Sequence, residues 1–161
     1  WAGPYLDSCQ GVAVRSDSDI RTLQDLAGKV VAVQSTTKPE ELFLNAEQNG
    51  LPRLRRLYSL QNRDLLYTTL LKGYADALAA HESAIRQFMK DYSVEYRILA
   101  GPLITARLGV AFAKERGDGL PQQLTEVFRE MLADGTVRQI VSRYLDDPGH
   151  YLDGLEDSTH A

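Results

Sequence analysis

The chain has 161 residues, with 18 Lys+Arg against 22 Asp+Glu, a formal net charge of −4 and 43% hydrophobic residues. A pI near 5.4 argues against a nucleic-acid partner, which normally needs a basic face, and no apolar run approaches the ~20 residues of a membrane span. The lone Cys9 excludes an internal disulfide or a cysteine metal cluster and reads as a small buried hydrophobe. A chain of this length supports one sizeable core or two small lobes, burying roughly 70% of its unfolded surface. It opens at Trp1 with no methionine and no charged-then-apolar leader, as expected of a mature or excised piece.

In chain order, Gly11 to Arg15 reads as a short strand, and Leu23 to Leu26 as a helical turn ended by Gly28. Val30 to Val33, apolar and mostly β-branched, has the pattern of a strand buried on both faces. Glu40 to Gln48 carries Leu42, Phe43 and Ala46 on one helical face and stops at Asn49-Gly50 and Pro52. Leu54 to Leu60 is a second strand, rimmed by Arg53, Arg55 and Arg56, which read as a solvated face. Asp64 to Lys72 places Leu65, Leu66, Leu70 and Leu71 in helical register and ends at Gly73. Ala75 to Ala80 is a third buried strand, Ser83 to Asp91 a helix, and Tyr96 to Leu99 a fourth strand.

After Gly101-Pro102, Leu108 to Ala113 forms another strand. Leu120, Leu124, Val127, Phe128, Met131 and Leu132 then line one apolar face of a helix. Val137, Ile140, Val141, Tyr144 and Leu145 mark a second helix before Pro148-Gly149, and Asp153 to Ala161 reads as a polar, frayed tail. The β–α alternation from Gly28 to Leu99 predicts an α/β fold, its mainly parallel sheet flanked by helices on both faces.

Asp25 to Leu42 carries the most chemistry. A strand runs through Gln34-Ser35-Thr36-Thr37 into a helix, with Thr37 and Glu40 at capping-box spacing and Pro39 in the first turn. Small hydroxyl residues at such a junction make an anion site from backbone N–H groups and the helix dipole. An ordinary capped βα turn has the same sequence signature.

Five segments, in order, resemble the bacterial extracellular solute-binding proteins of the polar amino-acid type (family 3, type II periplasmic binding fold). They are Pro4 to Arg15, Asp25 to Thr37, Asn62 to Ala77, Leu99 to Lys114, and Ala133 to Leu145. The resemblance implies a hinge strand at 1–14, a complete lobe two at 15–106, and a return strand with the C-terminal helices of lobe one at 107–161. It leaves the opening part of lobe one, which holds the family's carboxylate-clamping arginine, without a counterpart. It also implies a small polar, amino-acid-like or carboxylate-bearing ligand in an interlobe cleft, and a periplasmic or other extracytoplasmic location. The expected partner is an ABC transporter permease or a membrane-anchored signalling protein, and no cofactor or metal is expected.

By the same resemblance, Ser35, Thr36 and Thr37 stand at the family's ligand-carboxylate turn, with serine replacing the usual glycine, and Lys38 follows them. His81 stands where the family has an aspartate for the ligand's ammonium. Either Glu82 beside it supplies the acceptor, or the ligand has no ammonium there. Asp76 is expected in a structural role, and Arg107 is a minor candidate. The chain is expected not to be an enzyme; an alternative is a cyclohexadienyl dehydratase-like enzyme using Glu82 and His81, and another a degenerate protein-interaction domain.

Overall fold

A computed structural model describes residues 1–115 and 117–159. The chain divides into two compact units: Cys9–Ile104, and the segments Trp1–Ser8 with Thr105–Ala161.

The Cys9–Ile104 unit is built on β1 (Ala2–Arg15, entering from the other unit), β2 (Val30–Gln34), β3 (Arg56–Leu60), β4 (Ala77–His81) and β5 (Tyr96–Ile98), in the sheet order β3-β2-β4-β1-β5. The expected parallel pairing holds for β2 with β3 and for β2 with β4. β1 adds antiparallel pairs to β4 and to β5, so the sheet is mixed. The β–α alternation specifies parallel crossovers only for strands joined by helices; β1 precedes them all and enters in the opposite sense.

Side chains alternate across this sheet with period two. Val12, Val14, Val31, Val33, Ala77 and Ala79 face one side, packed with Leu26, Leu99 and Phe43, the last from α1 (Lys38–Leu44). Ala13, Val30, Ala32 and Leu78 face the other, against Leu66, Tyr67 and Leu70 of α2 (Arg63–Leu71) and Ile85 of α3 (Glu82–Tyr92). Two covered faces explain why Val30 to Val33 is uniformly apolar: each residue has a core to enter. Asp76 locks β2 beside β4, its carboxylate accepting from the Val30 N–H at 2.7 Å. That is the structural role expected of it.

In the other unit, β6 (Ile104–Val110) pairs with β1. α4 (Leu120–Ala133), α5 (Thr136–Val141) and α6 (Gly149–Thr159) follow. Leu132, Val137, Tyr151, Leu152 and Leu155 form its core, with Leu6, Met131, Val141 and Leu145 packed on it. The expected frayed tail is corrected here: α6 continues through Asp153 to Thr159, anchored by buried Leu152 and Leu155. Arg138 pairs with Asp153 at 2.7 Å and with Glu156, so the polar residues read as a tail are the outer face of a helix. His160 and Ala161 lie outside the described residues. No helix among the described residues is long and apolar enough to cross a membrane.

Candidate functional site

In the Cys9–Ile104 unit, β2 runs into α1, β3 into α2 and β4 into α3. Because β2 is parallel to both β3 and β4, all three strands end, and all three helices begin, on the same edge of the sheet. Open α/β sheets place ligands at the carboxyl ends of their strands. A cavity of about 240 Å³ lies there, lined by Gln10, Gln34, Thr37, Pro39, Arg63, Leu66, Tyr67, Ala79, Ala80, His81 and Ala84.

The turn after β2 is held from several directions. The Ser35 N–H donates to the Leu60 carbonyl at 2.9 Å, extending the ladder to β3 by one bond. Thr36 takes the left-handed conformation, φ 60°, which costs a side chain with a branched Cβ about 1–2 kcal/mol. The Glu40 carboxylate secures it by accepting from the Thr36 N–H at 2.7 Å, and it also accepts from the Ser59 hydroxyl. These two bonds, the Ser59 one foremost, hold the Glu40 carboxyl below the usual range. Thr37 is the N-cap of α1, but its hydroxyl makes no capping bond and instead donates to the Gln34 carbonyl. The capping box implied by spacing is therefore rearranged. Glu40 reaches one residue past the cap, because the left-handed Thr36 turns its N–H toward the helix.

Of the six residues expected at a ligand, Thr37 and His81 line the cavity. Ser35 and Thr36 stand in the turn behind it, Thr36 with its hydroxyl on the Ser35 carbonyl. Lys38 is exposed and pairs with Glu41 at 2.6 Å on its own helix, as residues at i and i+3 do. Glu82 is only 5% exposed, and its side chain packs over Gly11, where an added Cβ would meet Glu82 Oε1 at 3.1 Å. Neighbouring residues at the strand end diverge: His81 lines the cavity while Glu82 turns into the sheet. Arg107, in the other unit, pairs with Asp7 at 3.5 Å and lines a separate cavity of about 360 Å³ with Thr125 and Arg129.

Gln10, Gln34, Arg63 and Tyr67 were not anticipated from the sequence. Gln10 faces His81 across the β1–β4 register, their Nε2 atoms 3.5 Å apart. In the tautomer carrying its proton on Nδ1, His81 accepts this contact from the Gln10 amide. Arg63 opens α2 after its N-cap Asn62, whose Oδ1 accepts from the Asp64 N–H at 2.8 Å. Arg63 is exposed and has no ion-pair partner among the described residues. One turn on, Tyr67 is 2% exposed and its ring stacks on Phe88 at 4.3 Å. Its hydroxyl is buried with no hydrogen-bond partner among the described protein groups, an arrangement that costs about 1–3 kcal/mol. Burial pushes that hydroxyl's pKa up; the Arg63 guanidinium pulls it down and the Asp64 carboxylate pushes it up.

No protein-family model matches the chain. It is 33% identical over 149 residues to the histidine-binding periplasmic protein of Escherichia coli (strain K12), covering 84% of this chain and 54% of that protein. The chain thus spans about half the length of the curated relatives it matches. Its structure is similar to the crystal structure of the substrate binding protein of an amino acid ABC transporter. That match has a TM-score of 0.69 and 26% identity, over 90% of this chain and 62% of the other. It is also similar to a mutant of arginine-bound ArgBP from T. maritima, with a TM-score of 0.59 and 30% identity, over 81% of this chain and 58% of the other.

Proposed function

We propose that this chain, which belongs to the extracellular solute-binding proteins of the polar amino-acid type with the type II periplasmic binding fold, is part of a periplasmic receptor for a small polar, amino-acid-like or carboxylate-bearing solute. The observation that carries this reading is the cavity at the carboxyl ends of β2, β3 and β4. It gathers residues from all three βα junctions. Its lining combines hydrogen-bonding side chains with apolar walls, the composition of sites that orient small ligands.

The same lining supports binding over catalysis. An acid–base mechanism in this cleft needs a carboxylic acid within reach of the ligand. Glu82, the candidate for that role, is packed over Gly11 instead. The relatives named above are binding proteins, which supports the same reading. Delivery to an ABC transporter permease is the partner role we assign; a membrane-anchored signalling protein would use the same cavity.

A thermal-shift screen of the full-length protein against amino acids, dicarboxylates and polyamines tests this reading. A solute present at a hundred times its Kd stabilises the folded state by about 2.7 kcal/mol, so at least one class is expected to raise Tm. A screen in which no class raises Tm rejects it.

A further inference from the structure

We infer that the cavity of the Cys9–Ile104 unit takes an anionic group, so that the solute presents a carboxylate here rather than an ammonium. This inference rests on the proposed solute-binding reading and narrows it to a ligand class. It follows from the charges that reach the cavity and from those that do not.

The polar side chains lining the cavity are Gln10, Gln34, Thr37, Arg63, Tyr67 and His81. None is acidic, and one is a permanent cation. The carboxylates closest in sequence are all directed elsewhere or stand outside the lining. Glu40 holds the Thr36 N–H and the Ser59 hydroxyl. Glu41 holds Lys38. Glu82 packs over Gly11, and Asp64 follows Arg63 in the first turn of α2 without lining the cavity. An ammonium group entering here would find only neutral acceptors and would face the Arg63 guanidinium, an unfavourable exchange for its hydration.

A carboxylate has the opposite balance. Arg63, without an ion-pair partner among the described residues, offers a planar fork of donors matched to two carboxylate oxygens. His81 has at least one ring N–H in either protonation state. Tyr67 adds an independent sign. Its hydroxyl is buried without a hydrogen-bond partner among the described protein groups, and the charges of both Arg63 and Asp64 reach it. A hydroxyl left unmatched in the protein is explained if its acceptor arrives with the solute.

The test is isothermal titration of the full-length protein with succinate, L-glutamate, L-alanine, L-arginine and L-histidine, repeated on Arg63→Gln and His81→Asp. Both positions are exposed, and circular dichroism checks that each variant is folded. The expected result is that succinate or L-glutamate binds at least about tenfold tighter than L-arginine or L-histidine. Arg63→Gln should weaken the anionic ligand by about tenfold or more. His81→Asp should weaken it too, and narrow or invert its lead over L-arginine. If the unaltered protein prefers L-arginine, L-histidine or L-alanine, the anionic assignment is overturned while the receptor reading stands. If an anionic ligand binds but neither variant changes its affinity, the assignment to this cavity is overturned. If none of the five binds, the anionic assignment is overturned as well, and the receptor reading then stands or falls on the broader screen.

Discussion

Thr37 and Lys38 are adjacent, and the first turn of α1 sends them to different places. Thr37 is fixed by its bond to the Gln34 carbonyl and lines the cavity; Lys38 leans along the helix to Glu41. Thr37→Ala is therefore expected to weaken solute binding by about 1–3 kcal/mol, the range for a lost hydrogen-bonding group in a buried site. Lys38→Gln should leave affinity within about twofold, since an exposed helical pair contributes a few tenths of a kcal/mol and lies outside the lining. Calorimetry on the two variants checks both, and equal losses would place Lys38 at the solute. Tyr67→Phe separates stability from binding. Removing a hydroxyl that has no protein partner should leave urea-unfolding stability unchanged or raise it by up to about 1 kcal/mol, while lowering affinity for the solute. Thr37 and His81 were legible in the sequence because they follow directly on recognisable strands. Gln10, Arg63 and Tyr67 were not, because nothing local to them distinguishes a cavity wall from a strand or a helix surface.

At the scale of elements, Glu40 ties three pieces together: it sits on α1, holds the left-handed Thr36 of the β2–α1 turn, and accepts from Ser59 on β3. Its carboxyl is held below its ordinary value by those bonds. A depressed folded-state pKa gives stability that is fully present above the unfolded carboxylate value and is lost as pH falls through the folded value. Thermal melts across the acid range should show this loss, and Glu40→Gln should flatten that part of the curve while lowering Tm at neutral pH. An unchanged acid limb in the variant would remove Glu40 from the account. The sequence showed Glu40 at capping-box spacing but not its targets. Which N–H it reaches depends on the φ of Thr36, and Ser59 is brought to it by the β2–β3 pairing, neither of which is a property of spacing.

At the scale of the whole molecule, the two units have separate cores. One lies on the two faces of the mixed sheet. The other gathers α4, α5 and α6 around Leu132, Leu152 and Leu155. Leu152 is fully buried on α6, and Leu152→Ala should cost about 2–5 kcal/mol by transfer and cavity formation together. Hydrogen exchange is the suitable readout. Protection should fall in α4, α5 and α6, and a variant with unchanged protection there would contradict the packing of α6. The C-terminal segment shows how a composition rule misleads. Asp153 and Glu156 made it look solvated and frayed, yet they serve Arg138 on the outer face while Leu152 and Leu155 enter the core on the inner one.

The amino-acid sequence by itself determined the βα units, the two-faced burial of β2, the order of family segments, and the strand end at which Thr37 and His81 stand. Those are local properties: period-two and period-3.6 patterning, glycine stops and short-range spacing act within a few residues. Only the tertiary structure decided which charges line the cavity. Antiparallel register set Gln10 opposite His81, and the parallel β2–β3 pair brought the start of α2, with Arg63 and Tyr67, to the same edge. Packing over Gly11 took Glu82 out of the cavity, and a same-helix partner took Lys38 away from it. The chemistry of the site is thus a sum over residues far apart in sequence, and the sign of that sum is fixed by strand register and side-chain packing.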